Sequence, residues 1–340
     1  MFKKAFHILF TLFLLSLFSC GTRTASKAVY MRQSGTAQGT TYSIIYESPE
    51  GEDYTGEITE LLISFEKSLS IYDSTSLISK MNRNEPGLMP DSWFTEVFNK
   101  SAEIHKASGG VFDITVAPLV NVWGFGPEKK QKVDQKVIDS LLVFVGMDKV
   151  HLKDGQILKA DPRVQLDMNA IAQGYSVDLV SRLLEAKGCV NYLVEIGGEI
   201  RAKGLNDKHR IWRVGIDRPS DINMTPGMDL EAILELQDRS LATSGNYRKF
   251  FVENGVKYSH TIDPSSGFPV QHNLLSVTIV AEDCMTADAW ATACMASGLE
   301  KSKAILAGHS ELGGLLIYSD DQGNYLEYLT PGIEKSLVRE

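Results

Sequence analysis

The sequence predicts a single α+β domain of mixed helices and strands. Runs with the alternating apolar pattern of strands are interspersed with amphipathic helical runs, and their order lacks the regular βαβ repeat of a doubly wound sheet. No internal repeat or change of composition marks a domain boundary. Of the 340 residues, 43% are hydrophobic, which is enough for one large core or two small ones. We therefore expect one continuous fold.

The first twenty residues are predicted to be a processing signal. Two lysines precede the apolar run 5–18, which is too short for a finished membrane anchor. Cys20 follows this run directly, with small residues after it. This pattern resembles the lipobox of bacterial lipoproteins, so we expect Cys20 to be lipidated. The alternative is an ordinary cleaved secretory signal.

Both alternatives predict an exported protein on the periplasmic side of a bacterial membrane. Lipidation would anchor it to that membrane without a transmembrane helix. Residues 1–20 would then form a lipoprotein signal peptide, and residues 21–33, which are small and polar, would form a tether. We expect the folded domain to cover residues 34–340.

Helices are predicted where apolar residues recur every three or four positions. Glycines mark the predicted ends of three of them, at Gly109, Gly188 and Gly298, because glycine adopts the left-handed backbone that often follows a helix. The predicted helices cover residues 57–70, 92–108, 169–187 and 287–297.

Strands are predicted where short apolar or alternating runs lie between turn residues. The clearest alternation is TTYSIIYES at 40–48, and a Gly-containing turn at 320–323 predicts a hairpin at the end of the chain. The predicted strands cover residues 40–48, 192–196, 212–216, 230–236, 274–281, 314–320 and 324–330.

The charge and the cysteines exclude some classes of protein. The net charge of −9 argues against a nucleic-acid partner. An acidic protein binds a phosphate-bearing ligand more easily with a cation between the two. After Cys20 the chain contains Cys189, Cys284 and Cys294, an odd number without CxxC spacing, so neither a zinc site nor a disulfide scaffold is predicted.

A carboxylate and a hydroxyl share one face of the last long predicted helix. Asp288 and Thr292 stand four residues apart, so their side chains point the same way. Magnesium prefers hard oxygen ligands, usually one or two carboxylates completed by hydroxyls, carbonyls, water and substrate phosphate. The spacing is compatible with a magnesium site, but an aspartate near a helix start is more often a cap, and Thr292 among alanines is more often packed.

The loop SHTIDPSSGFPV, at 259–270, adds a histidine and an aspartate shortly before that helix. His260 and Asp263 could place a proton acceptor beside a metal-bound phosphate. The loop is also rich in turn residues, and His260 could be a buried histidine with satisfied hydrogen bonds. The local sequence leaves both readings open.

Two glycine-containing segments suggest contacts to phosphates or aromatic rings. Residues 108–127 contain a Gly-Gly entry and a Trp-Gly-Phe-Gly turn, whose Trp123 and Phe125 could simply pack on the core. Residues 166–178 contain Asp167 and a predicted helix start, where free amides could face an anion. Neither segment matches GxGxxG or GxxxxGK[ST], so a Rossmann or P-loop site is unsupported.

Together these segments resemble the ApbE family of FAD:protein FMN transferases, the flavin-attaching enzymes of the bacterial envelope. The match covers essentially all of the chain after the leader, and it implies an α+β fold related to the T-fold proteins. The motifs that carry it are GTAQGT at 35–40, SIY at 70–72, GGVFDITVAPLVNVWGFGP at 109–127, LDMNAIAQGYSVD at 166–178, ATSGNYR at 242–248, SHTIDPSSGFPV at 259–270 and ADAWAT at 287–292.

The resemblance implies a role for each matching residue. Asp288, Thr292 and the backbone carbonyl of Ala170 match magnesium ligands. Gln38 stands where many members have Met, and Gln173 stands where many have Lys. The residues that match positions lining the FAD site are Gln38, Tyr72, Val111, Phe112, Asp113, Asp167, Gln173, His260 and Ile262.

The resemblance also implies a reaction. FAD would be a substrate, with Mg²⁺ on its diphosphate, and a threonine hydroxyl of a target envelope flavoprotein would attack the FMN-side phosphorus and release AMP. We expect His260 to accept the threonine proton, and Asp263 to orient His260 or assist the metal. The target would be a redox-pump subunit or another electron carrier. The alternatives are an FAD pyrophosphatase that gives FMN and AMP, and a flavin-binding lipoprotein without turnover.

Overall fold

The structure, a computed structural model, describes residues 28–220, 227–247 and 249–338. Within these residues, eight of the strands form one antiparallel sheet and the others form three separate hairpins. The strands are β1 Val29–Ala37, β2 Thr40–Ser48, β3 Val150–Lys153, β4 Gln156–Lys159, β5 Tyr192–Ile196, β6 Glu199–Lys203, β7 Trp212–Asp217, β8 Leu230–Leu236, β9 Arg239–Gly245, β10 Phe250–Glu253, β11 Val256–Ser259, β12 Leu274–Ala281, β13 Gly313–Ser319 and β14 Tyr325–Leu329.

The large sheet has the order β1-β2-β5-β6-β9-β12-β13-β14. Every neighbouring pair in it is antiparallel. The three hairpins pair β3 with β4, β7 with β8, and β10 with β11. The five interior strands predicted from the sequence and the terminal hairpin are all present, and the predicted α+β class is confirmed.

The four predicted helices are present, and the described residues contain five further α-helices that were not predicted. The helix predicted from Ala287 begins earlier, at Cys284, because the carboxylate of Asp283 accepts a hydrogen bond from the amide of Thr286 at 2.7 Å and caps the first turn. The helices are α1 Thr55–Leu69, α2 Leu77–Asn82, α3 Ser92–Ala107, α4 Ala117–Val122, α5 Gln135–Leu142, α6 Asn169–Ala186, α7 Cys284–Ser297, α8 Leu299–Gly308 and α9 Pro331–Glu334.

The fold begins earlier than the sequence predicts. Strand β1 starts at Val29, inside the predicted tether 21–33, and pairs with β2 from Val29 opposite Ser48 to Ala37 opposite Thr40. Its sequence is polar because β1 is an edge strand with few core contacts: Met31 and Ala37 pack against one core cluster and Tyr30 packs against another. A half-covered edge strand and a tether therefore look alike in sequence.

Helices α6 and α7 pack together against the large sheet. Both are buried along most of their length, and α7 is apolar on nearly all sides, as expected of a core helix. They approach closely at Gly174, where an added Cβ would lie 2.3 Å from the carbonyl oxygen of Cys284 and 2.8 Å from Cβ of Asp288. A glycine in α6 thus sets the distance between the two helices.

No helix in the described part of the chain has the length and apolar character needed to cross a membrane. Cys20 and the predicted signal peptide lie outside the described residues. Lipidation of Cys20 and export to the periplasmic side of a membrane therefore stay predictions.

Candidate functional site

A cleft of about 1120 Å³ brings the predicted site residues together. Its wall is formed by residues from distant parts of the chain, including the turn after β1, the start of α6, the loop after β11 and the middle of α7. The predicted site residues that line it are Gln38, Tyr72, Val111, Phe112, Asp113, Asp167, Ala170, Gln173, His260, Ile262, Asp288 and Thr292.

A close contact between the two core helices lies at the metal ligands implied by the resemblance. Oδ2 of Asp288 accepts a hydrogen bond from the amide of Gly174 at 2.9 Å. In a regular helix that amide would donate to the carbonyl of Ala170, four residues earlier. Ala170 lines the same cleft as Asp288 and Thr292, and its carbonyl oxygen has two lone pairs, so it keeps acceptor capacity beside any such helical bond.

The Asp288 carboxylate lies in an environment that disfavours an uncompensated charge. Burial raises the pKa of Asp288 to about 7, and the negative charge of Asp178 adds to this, although the amide of Gly174 works against the rise. A bound cation would remove this cost. A buried carboxylate beside a hydroxyl and an available carbonyl therefore fits a hard divalent cation.

The described residues contain no cluster of three or more His, Cys, Asp and Glu side chains able to hold a metal. The site implied by the resemblance has another composition: one carboxylate, one hydroxyl and one carbonyl, with substrate oxygens left to complete the shell. Magnesium commonly binds through one or two carboxylates together with substrate phosphates. The magnesium site at Ala170, Asp288 and Thr292 stays a prediction.

A second buried aspartate, whose role the sequence did not reveal, fixes the start of α7. Asp178 accepts hydrogen bonds from the amides of Cys284 at 2.9 Å and Met285 at 2.8 Å, and Arg201 lies 3.2 Å from the same carboxylate. Burial raises the pKa of Asp178 to about 6, while the two amides lower it. Asp178 lies four residues after Gly174, so one face of α6 holds both the start of α7 and Asp288.

His260 lies at the cleft wall directly after β11. Its backbone amide donates to the carbonyl of Lys249 at 3.1 Å, and its Nδ1 lies 3.3 Å from the same oxygen. The ring meets Phe125 edge to face, with centroids 6.4 Å apart. Burial lowers the pKa of His260 to about 4, and the charge of Lys249 lowers it further, so the imidazole is neutral at neutral pH.

Asp263 does not line the cleft, unlike the other predicted catalytic residue. Its Oδ1 accepts hydrogen bonds from the amide of Ser265 at 2.9 Å and from the hydroxyl of Ser265 at 2.7 Å. Burial works to raise the pKa of Asp263, but these bonds and those from Ser266 lower it. The structure gives Asp263 a turn-forming role, and a part in catalysis stays a prediction.

Two more aspartates occupy different settings in the cleft wall. Asp113 caps a short 3₁₀ turn, since its Oδ1 accepts from the amide of Thr115 at 2.7 Å and its Oδ2 accepts from the amide of Met147 at 3.2 Å. Asp167 accepts from the amide of Asn169 at 2.8 Å, and burial raises its pKa to about 6. Asp113 therefore shapes the wall, whereas Asp167 can change its charge near neutral pH.

The two glutamines that depart from the usual family residues make different contacts. Gln38 has a left-handed backbone with φ of 54°, its amide donates to Glu66, and its side-chain Nε2 is buried with no partner among the described residues. Gln173 donates through Nε2 to the carbonyl of Ile196 at 3.1 Å and lies against Gly197, where any Cβ would clash. Gln38 thus keeps a donor free for a ligand, and Gln173 is held by the sheet.

The aromatic residues of the Trp-Gly-Phe-Gly turn divide between core and cleft. Trp123 is buried, donates to the carbonyl of Gly267 at 2.9 Å and stacks on Tyr258, so packing explains it. Phe125 lines the cleft beside His260. Tyr72 is 60% exposed, and its hydroxyl donates to the Phe125 carbonyl at 3.4 Å, which places an aromatic ring at the cleft rim.

Several lining residues were not singled out from the sequence. They include Glu66, Glu195, Thr243, Tyr247 and Lys249. Tyr247 and Thr243 belong to the ATSGNYR motif, so the family resemblance could have pointed to them. Glu66 and Glu195 resemble ordinary helix and strand residues, and Lys249 lies just past the motif.

The fold is a single α+β domain. Its large cleft is lined by acidic residues, as expected of the ligand site of an enzyme. A family model described as the ApbE family matches residues 38–316. The chain belongs to the ApbE family.

Known relatives match this sequence along nearly the whole chain. An FAD:protein FMN transferase of Vibrio cholerae serotype O1 is 35% identical, with coverage of 90% of this chain and 92% of the relative. One of Haemophilus influenzae is 36% identical, with coverage of 91% of each. The solved structure of the flavin transferase ApbE from Vibrio cholerae covers 91% of this chain and 100% of its own, with 34% identity and a TM-score of 0.82.

A second solved structure gives the same result. The flavinyl transferase ApbE of Pseudomonas stutzeri, in its apo form, is 31% identical, with coverage of 91% of this chain and 97% of its own and a TM-score of 0.81. The similarity therefore extends over the sheet, the helices and the cleft.

Proposed function

We propose that this protein transfers FMN from FAD to a threonine hydroxyl of a target envelope flavoprotein in a Mg²⁺-dependent reaction that releases AMP. The relatives are named FAD:protein FMN transferases, which supports flavin transfer from FAD to a protein. The structural support is that Asp288, Thr292 and His260 line the same cleft.

Ala170, Asp288 and Thr292 would hold the metal through a carbonyl, a carboxylate and a hydroxyl. When bound, Mg²⁺ would neutralise the FAD diphosphate and stabilise the charge that develops on the departing AMP. Asp178 supports this arrangement because it holds the start of α7, the helix that carries Asp288 and Thr292.

His260 supplies the proton acceptor. Its imidazole is neutral at neutral pH, and a proton on Nδ1 that faces the Lys249 carbonyl leaves the Nε2 lone pair available. The threonine oxygen forms a bond to the FMN-side phosphorus, the bond from that phosphorus to the AMP phosphate oxygen breaks, and the threonine proton moves to His260 Nε2. Positioning and electrostatics supply most of the rate.

The predicted signal peptide and lipobox indicate where the protein acts in the cell. We propose that Cys20 is lipidated and holds the protein on the periplasmic side of a membrane. There the anchored protein can reach an envelope protein that serves as its acceptor. The acceptor would be a subunit of a redox-driven pump or another electron carrier.

One incubation tests this function against its rivals. The purified protein is mixed with FAD, Mg²⁺ and a peptide bearing a Ser/Thr-Gly-Ala-Thr acceptor, and peptide mass and free AMP are measured. Transfer predicts a peptide heavier by FMN minus water, with AMP in equal amount. AMP without a modified peptide would identify an FAD pyrophosphatase, and the absence of both products would leave a flavin-binding protein without turnover.

A further inference from the structure

The cleft wall is strongly acidic. Its described residues include a single lysine or arginine, Lys249, whose side chain is exposed. The acidic residues that line the same cleft are Glu66, Asp73, Asp113, Asp167, Glu195, Glu199, Asp217 and Asp288.

Lys249 lies beside His260 in the cleft wall. Its carbonyl accepts from the His260 amide at 3.1 Å, which keeps the two residues side by side at the base of the β10–β11 hairpin. Its charge lowers the pKa of both Asp167 and His260, so both groups interact electrostatically with the Lys249 ammonium.

The proposed substrate makes a cation necessary at this place. FAD carries a diphosphate, and an acidic wall repels an anion unless cations offset the charge. A metal at Asp288 and Thr292 would supply positive charge where α7 lines the cleft. Among the described residues, Lys249 is the one lysine or arginine that lines the cleft, and it lies beside His260.

We propose that the Lys249 ammonium binds the FAD diphosphate beside His260 and is thus a substrate-binding residue of the transferase. This inference rests on the proposed function, since it requires FAD as the substrate. The contact is a charge-assisted hydrogen bond to a phosphate oxygen, in which a lysine acts as a point charge that arginine can replace.

The test compares ligands with and without phosphates. Dissociation constants of FAD and riboflavin are measured from flavin fluorescence for the wild type and for Lys249→Gln, Lys249→Arg and Lys257→Gln. Lys257 lies on the same hairpin, with its ammonium 4.1 Å from the Phe250 ring centroid, and does not line the cleft. We expect Lys249→Gln to weaken FAD binding about tenfold, with riboflavin binding unchanged.

Lys249→Arg should retain most of the FAD affinity, and Lys257→Gln should retain all of it. Raising the salt concentration should weaken FAD binding by the wild type more than by Lys249→Gln, because the variant lacks the screened charge. Equal FAD affinity of Lys249→Gln and wild type would overturn the inference, as would an equal loss of riboflavin binding. If the wild type transfers FMN and Lys249→Gln binds FAD as tightly as the wild type, only the role of Lys249 is overturned and the proposed function stands. If the wild type binds no FAD, the proposed function fails with it.

Discussion

Oδ2 of Asp288 accepts a hydrogen bond at 2.9 Å from the backbone amide of Gly174, a residue 114 positions earlier in the chain. This bond joins the two buried helices at the place where α7 presents its carboxylate to the cleft. The proposed metal ligands, Ala170 on α6 and Asp288 and Thr292 on α7, therefore depend on the packing of these two helices.

Gly174→Ala should destabilise the protein and weaken the site together. The added methyl would lie 2.3 Å from the Cys284 carbonyl oxygen, so α6 and α7 must separate. We expect the free energy of unfolding to fall by about 3 kcal/mol in urea titrations, since an overpacked core costs about this much. The matched control is Gly56→Ala in α1, where the added methyl meets nothing within 4 Å and should stabilise by up to about 1 kcal/mol. Equal effects at both glycines would refute the close-approach argument.

Asp288→Asn should remove a pH-dependent loss of stability when divalent cations are absent. The folded pKa of Asp288, about 7, lies above the ordinary value of 3.8, so its contribution is fully present below pH 4 and is lost as the pH rises through 7. In EDTA at pH 8.5 the variant should therefore be more stable than the wild type, by at most about 4 kcal/mol. Urea unfolding at pH 5.5 and 8.5 measures the difference.

Added Mg²⁺ should reverse that order. A cation that binds only the folded state stabilises it, so Mg²⁺ should raise the melting temperature of the wild type and leave Asp288→Asn unchanged. FMN transfer by the variant should be lost. Asp139→Asn, at an exposed position of α5, serves as the control and should respond to Mg²⁺ as the wild type does. An Asp288→Asn protein that gains stability from Mg²⁺ would show that the ligand assignment is wrong.

His260→Ala should slow FMN transfer while FAD binding stays largely intact. A positioned general base typically contributes about 10²–10⁴-fold to a rate. The measurement is single-turnover transfer to the acceptor peptide at saturating FAD, with the FAD dissociation constant determined separately. A transfer rate equal to that of the wild type would exclude His260 as the proton acceptor.

The same histidine should make the folded state sensitive to acid. The folded pKa of His260 is about 4 and lies below the ordinary 6.5, so its contribution to stability is fully present above pH 6.5 and is lost as the pH falls towards 4. His260→Gln cannot be protonated there and should lose less stability between pH 7 and pH 4.5, by about 2–3 kcal/mol. Parallel stability curves for the two proteins would mean that the imidazole titrates normally.

Asp263→Asn separates a turn residue from a catalytic acid. Asparagine keeps the side-chain oxygen that accepts from Ser265 and removes the charge, so a turn-forming role predicts nearly full transfer activity. Asp263→Ala should instead lower the free energy of unfolding by about 1 kcal/mol through the lost hydrogen bonds. If Asp263→Asn abolishes transfer in a stably folded protein, the catalytic role predicted for Asp263 holds.

The sequence alone was sufficient for features that depend on local periodicity. The four-residue spacing of Asp288 and Thr292 places both on one face of a helix wherever that helix packs, and alternation located the interior strands because each buries one or both faces. The predicted metal-binding, FAD-lining and catalytic residues were assigned to one site through their resemblance to a family, and all of them except Asp263 line one cleft.

Only the tertiary structure decided which groups meet across the chain and what charge they carry. Gly174 reaches Asp288 because two helices pack without a side chain between them, and burial then raises the pKa of that carboxylate. Strand β1 is recognisable only from its partner β2, and Lys249 becomes notable only once the acidic residues around it share a wall. Contact and desolvation depend on neighbours distant in sequence, so local patterns determine which elements form, and packing determines the chemistry of the site.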